Sequence, residues 1–305
     1  MGDPSRTVTV YPGANLQLHR TSEFMNNVMS KVVVMTNASL NIEAAGLTNQ
    51  FAGPISLSGS NTISLPSGTG LILQGPVSGN SSVTTVGTGL LAISGNCSYT
   101  GGTTIGGGFL QVDGSLGTGA HPLLLTAATA VGGNGTIRDP VTIPAGSSLT
   151  PGDSAVGGLT ISSSLVLSPG CSNVFEINKD LATNDVVKGL TSVALGGTLV
   201  LNNVGSTGYA PGDSFKLFYA SSYTGSFPAI FPAIPGAGLV WVTNTLPTSG
   251  TISVAVVPTP IPLFALSASS LVSNSVNVIF TGALESVGDD EHPLGRRHDI
   301  GDGQP

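Results

Sequence analysis

Apolar residues recur along this chain in very short alternating runs. Ile-Ser-Leu begins at Ile55, Leu-Ile-Leu at Leu71, Leu-Ala-Ile at Leu91, Leu-Gln-Val at Leu110, Val-Thr-Ile at Val141, Leu-Thr-Ile at Leu159 and Leu-Val-Leu at Leu199. Successive strand side chains point to opposite faces, so each triplet predicts a minimal strand that buries two residues. Between the runs lie Ser-Gly-Thr-Gly, Ser-Gly-Asn, Gly-Gly-Gly and Pro-Ala-Gly-Ser, residues that accept positive φ or bond their own backbone in turns. A helical period is weak and confined to residues 21–34.

The spacing of the runs predicts how they stack. Leu71, Leu91 and Leu110 begin triplets 20 and 19 positions apart, Val141 and Leu159 are 18 apart, and other runs come at intervals of 6 to 10. That mixture predicts turns of about 20 residues with two or three strands each. Such turns, stacked about 4.8 Å apart, place inward residues in apolar ladders. A β-sandwich would show longer strands at spacings of about 8–12 residues.

One stretch carries a specific resemblance. Residues 91–112, LAISGNCSYTGGTTIGGGFLQV, resemble the autotransporter-associated β-strand repeat at Ser94, Gly95, residues 99–105, Gly108, Leu110 and Val112; Cys97 and Ser98 depart from its usual Asn-Thr. Downstream, GGNGTIRDPVTIPAGSSLTPGDSAVGGLTISSSLVLSPG is similar to the next part of autotransporter passengers, and PGDSFKLFYASSYTGSF to their closing part. The resemblance spans residues 49–256. It implies an all-β, right-handed parallel β-helix (β-solenoid) with an irregular C-terminal tail, in an exported, passenger-like protein at the cell surface or outside the cell. It implies no particular activity.

Composition sharpens this expectation. Of 305 residues, 40% are hydrophobic and only 8% charged, with 43 glycines and 20 prolines, which fits a folded β protein and not a charge-rich disordered chain. The net charge of −7 is unevenly placed: residues 44–112 contain no Asp, Glu, Lys or Arg, whereas residues 285–302 contain eight charged side chains. The nine basic residues are scattered, which argues against nucleic-acid binding. No signal-like segment opens the sequence and no apolar run reaches membrane-spanning length. Cys97 and Cys171 read as small buried residues.

Several stretches invite chemistry. Gly101 to Gly108 could pass for a phosphate loop, but no Gly-Lys-Ser/Thr accompanies it. GGNGTIRD starts like a calcium-binding nonapeptide, with Ile137 where an aspartate belongs. Pro-Gly-Asp-Ser occurs twice and Asp289 precedes His292 by three, fragments of a serine hydrolase without its alternating helices. The tail cluster of Asp289, Asp290, Glu291, His292, His298 and Asp299 matches no defined metal spacing. Asp113, Asp139 and Asp153, with Arg138 as a cation, are the candidate carboxylates of a carbohydrate-active β-helix, a polysaccharide lyase or glycosidase, which requires that they converge. Tyr99, Tyr209, Tyr219, Tyr223 and Trp241 form no readable sugar-stacking platform.

The sequence therefore predicts four parts: residues 1–48, a β segment serving as cap or first coils; residues 49–256, the β-helix; residues 257–284, a proline-rich linker with weak strands; and residues 285–305, a charged disordered tail. The expected function is a non-enzymatic surface stalk or adhesin-like protein without a cofactor, with a carbohydrate-active enzyme as the alternative. Its expected partners are surface polysaccharides or other surface proteins.

Overall fold

The computed structural model describes residues 6–18, 28–43, 48–126, 128–153 and 155–258. The chain divides into two compact units, Met1–Val257 and Pro258–Pro305. The coils all belong to the first unit; the linker strands and charged tail expected beyond it lie outside the described residues, as does the acidic cluster with His292 and His298.

The first unit is a parallel β-solenoid with three faces. A typical turn lays Ser115–Leu116 on the first face, Leu123–Leu125 on the second and Thr129–Gly133 on the third. The third faces form an 11-stranded sheet running in strict chain order from Val28–Met29 to Ala229–Phe231, apart from the side strand Thr183–Asn184. The first and second faces join in an 18-stranded sheet, because Ile55–Ser64 and Val77–Val86 each run unbroken across the corner between them. Val8–Val10 and Asn15–Leu18 pair in parallel with Val33–Thr36 and Ser39–Ile42, so these early strands are coils of the solenoid. The weak helical period at residues 21–34 ends instead in strands over its described part, Val28–Met29 and Val33–Thr36.

Each alternating triplet is a buried pair: Leu71 with Leu73, Leu91 with Ile93, Leu110 with Val112 and Leu159 with Ile161 are all at most 5% exposed. Register turns these pairs into ladders. On the third face Leu71, Leu91, Leu110, Val131 and Leu149 are successive partners. On the first face Val33, Ile55, Val77, Cys97, Leu116, Ile137 and Ile161 stack in the same way. Fully burying one such aliphatic side chain contributes about 1.5–3 kcal/mol. The 18-residue interval from Val141 to Leu159 has a different origin: Val141 pairs with Leu165 on the second face, while Leu159 pairs with Val187 on the first.

The corner from third to first face shows how closely the turns approach. There two consecutive amides donate to one carbonyl a turn earlier: Gln74 and Gly75 to Phe51 O, Ser94 and Gly95 to Leu73 O, Asp113 and Gly114 to Ile93 O. The second residue of each pair is glycine for lack of space. A Cβ on Gly75 would lie 2.1 Å from Gly53 O, on Gly114 2.1 Å from Gly95 O, and on Gly135 2.3 Å from Gly114 O.

At the C-terminal end, Ser214–Lys216, Leu239–Val242 and Thr251–Val256 form an antiparallel three-stranded sheet. Tyr209 stands edge-on to both Phe215 and Trp241. Leu217 and Phe218 donate to Gly250 O, beside the short helix Leu246–Ser249, so antiparallel structure closes over the last coil.

Replacing Gly114 with Ala is expected to lower stability by about 1–3 kcal/mol, the cost of forcing atoms into a packed site. Gly102→Ala, whose Cβ would meet nothing closer than 3.6 Å, is expected to be neutral or slightly stabilising. Urea midpoints of the two variants measure the contrast; equal midpoints would refute the close-approach explanation.

Candidate functional site

The three candidate carboxylates do not meet. Asp113 lies at the corner after the third-face strand Gly108–Val112. Its Oδ1 accepts from Asn134 N at 3.0 Å and its Oδ2 from Gln111 Nε2 at 2.7 Å. Asp139 lies at a different corner, between Thr136–Ile137 and Val141–Ile143, where its Oδ1 accepts from Gly119 N at 2.7 Å and Thr118 N at 3.2 Å. Asp153 is exposed, just past Ser148–Pro151, two turns beyond Asp113. Two of the three thus hold the backbone of a neighbouring turn. Asp139 is 2% exposed; burial pushes its carboxyl above the usual range, opposed by the two amides and the nearby His121 and Arg138. Arg138 reaches only toward Gly117 O, at 3.5 Å.

The most elaborate polar arrangement arises where the coils grow side loops. Ser172–Asn178 overruns the third face and returns through Thr183–Asn184 as an antiparallel hairpin. Asp185, 1% exposed, sits at its base and accepts from Gly157 N and Glu176 N, each at 2.7 Å. Burial pushes its carboxyl up to about 6; the two amides pull it down, and the neighbouring Glu176 charge adds to the rise. At the hairpin tip Asp180 accepts from Ser206 and Thr207, and these bonds hold it down at about 2. Lys179 pairs with Asp213 at 2.8 Å, tying the hairpin to the loop that enters the closing sheet.

Beside this hairpin lies a groove of about 480 Å³ lined by Ala155, Val156, Glu176, Asn178, Leu181, Thr183 and Val204. It is large enough for a small ligand, but Glu176 is its one ionisable residue. Of the next carboxylates in sequence, Asp180 is committed to Ser206 and Thr207 and Asp185 to two backbone amides. Acid–base work on a glycoside requires two free carboxyl groups about 5–9 Å apart across the bond. Among the described residues no group of three or more His, Cys, Asp or Glu side chains is placed to hold a metal ion. Sequence reading missed this region for a local reason: Val-Phe-Glu-Ile marks Glu176 as outward between buried Phe175 and Ile177, but Ala-Thr-Asn-Asp reads only as a turn.

The glycine-rich segment is wall and corner. Cys97 is fully buried between Val77 and Leu116, and burial pushes its thiol up to about 12. Tyr99 is buried too, its hydroxyl 2.6 Å from Thr103 Oγ1. Residues 103–105 form the next strand, with Ile105 inward. An enclosed gap of about 30 Å³ nearby is lined by Met35, Leu57, Val83, Tyr99 and other mostly apolar residues; a void with such walls stays dry. Of the remaining aromatics, Tyr209 and Trp241 pack in the closing sheet, and Trp241 Nε1 donates to Pro232 O at 2.9 Å.

These environments make two behaviours measurable. Neither Cys97 nor Cys171, both buried, is expected to react with an aromatic disulfide reagent in the folded protein, and both are expected to react in denaturant; rapid native labelling would contradict the ladder position of Cys97. Asp185 binds its proton more tightly folded than unfolded, so its contribution to stability is full below about pH 4 and is lost as pH rises through about 6. The difference in urea midpoint between wild type and Asp185→Asn is expected to change across that window; a flat difference would contradict the shift. Asn also cannot accept at both positions, so this variant is expected to be less stable at every pH, by about 1–3 kcal/mol.

No protein-family model matches the chain, and no curated protein matches its sequence.

Proposed function

We propose that the solenoid is a non-catalytic, extended scaffold of an exported surface protein, similar in role to autotransporter passengers. The observation that carries this reading is the dispersal of the candidate carboxylates. Asp113 and Asp139 occupy different corners and are spent on backbone amides, while Asp153 stands exposed on another turn. Catalysis needs its groups converging within hydrogen-bond reach of one reacting atom, and the described grooves offer no such convergence.

The architecture supports a mechanical or display role. Every coil rests on its neighbours through backbone bonds and inward ladders, so length is gained by adding turns while the outer faces stay free for contact. The repeat-like residues 94–112 form three short strands of this wall and the corners between them, which suits the passenger-like reading.

Incubation with pectic, cellulosic and chitinous polysaccharides is expected to release no reducing ends above background. Asp113→Ala, Asp139→Ala and Asp153→Ala are expected to match wild type. In the source organism, antibodies to the solenoid are expected to label intact cells. Release of reducing ends above background by wild type, whether or not an Asp→Ala variant loses it, or labelling only after permeabilisation, would overturn the proposal.

A further inference from the structure

The outward side of the first and second faces, over the coils between residues 33 and 105, carries a grid of hydroxyl and amide side chains. Ser56, Ser78 and Ser98 form one row across successive turns. Thr36, Ser58, Asn80 and Thr100 form a second, and Ser39, Thr62, Thr84 and Thr104 a third. Asn41 beside Ser64 and Ser60 beside Ser82 extend it. Strand geometry spaces these groups about 4.8 Å from turn to turn and about 6.8 Å along each strand.

Local structure accounts for only part of this composition. Strand propensity favours threonine but not asparagine, and neither serine nor asparagine is needed for the inward ladders. Some members bond one another: Thr36 Oγ1 to Ser58 Oγ at 2.7 Å, Ser82 to Ser60 at 3.2 Å, Thr100 to Asn80 at 3.1 Å. Ser56, Ser78, Thr62, Thr84 and Thr104 make no side-chain hydrogen bond to another described residue. Solubility is usually secured by Lys and Glu on such surfaces, yet residues 44–112 have none. On the third face of the same coils the outward rows are Gln50, Ile72, Ala92 and Gln111, of which Ala92 is buried, and Thr48, Gly70, Leu90 and Phe109, mostly without hydroxyl or amide groups. The grid is therefore particular to two faces.

Its chemistry selects the partner. Anionic polymers require Lys or Arg, which this surface lacks. Protein partners are typically held by aromatic or Arg anchors, also missing from the rows. A neutral polysaccharide offers what the grid can use: uncharged donors and acceptors repeated along a line, so that many weak hydrogen bonds add through multivalency. We infer that the outward first and second faces of these coils form a docking surface for a neutral, extended polysaccharide. The inference deepens the surface-scaffold reading and rests on it.

Sedimentation with microcrystalline cellulose, chitin and insoluble β-1,3-glucan tests it, with calcium-alginate gel as an anionic comparison. Wild type is expected to be retained on at least one neutral glycan, to stay bound in 1 M salt, where charge attraction is screened, and to be released by the matching soluble oligosaccharide. Ser56→Lys with Asn80→Lys is expected to weaken retention about tenfold or more, while Gln50→Lys with Leu90→Lys on the third face keeps it. Circular dichroism and urea midpoints establish that both variants are folded. Failure to bind any neutral glycan, retention on alginate alone, or equal retention by the two variants would overturn the inference. Release of reducing ends by bound protein would instead strike at the non-catalytic reading and leave the docking surface standing.

Discussion

Everything in this molecule depends on how closely one turn lies on the next. At the corner from third to first face, paired amides converge on a single carbonyl of the preceding turn, and the second position is glycine because no Cβ fits beneath the neighbouring carbonyl oxygen. These contacts set the register, since a slip by one residue would exchange every inward side chain for an outward one. With the register fixed, Val, Leu and Ile fall on Val, Leu and Ile, and the core becomes a set of parallel ladders. The uniform outer rows of serine, threonine and asparagine result from the same register.

The corners also explain where the carboxylates went. A coil that turns sharply exposes backbone amides that strand pairing cannot satisfy, and buried amides must find acceptors. Asp113 receives Asn134 N, Asn134 Oδ1 in turn receives Gly158 N, and Asp185 receives Gly157 and Glu176 N. Aspartate and asparagine thus act here as extensions of the sheet ladder. The inward Asn173 obeys the same logic, donating to Gly196 O and Thr198 O from a fully buried position.

Much of the fold was legible because its signal is local and repeated. The 20- and 19-residue steps from Leu71 to Leu91 to Leu110 are the true turn-to-turn register. The similar step from Val141 to Leu159 misled, because two faces carry the same alternation and only pairing distinguishes them. The candidate carboxylates were legible as residues and not as a constellation, since sequence spacing does not say which corner an aspartate occupies. Asp185 was not legible at all: its importance comes from amides of Gly157 and Glu176 that only the hairpin brings to it. The closing antiparallel sheet, whose first strand is separated from the other two by the last coil of the solenoid, likewise leaves no periodic trace.

The central claim is parallel, in-register stacking, and electron spin–spin distances test it most directly. Thr62, Thr84, Thr104, Leu124, Thr142, Val166, Ala194 and Thr224 lie in one outward row. At about 4.8 Å per turn, labels at Thr62 and Val166, five turns apart, should lie about 24 Å from each other, and labels at Thr62 and Thr224, seven turns apart, about 34 Å. Narrow distributions that lengthen in this proportion are the predicted result. Equal distances for the two pairs, or a shorter one for the more distant pair, would contradict the solenoid.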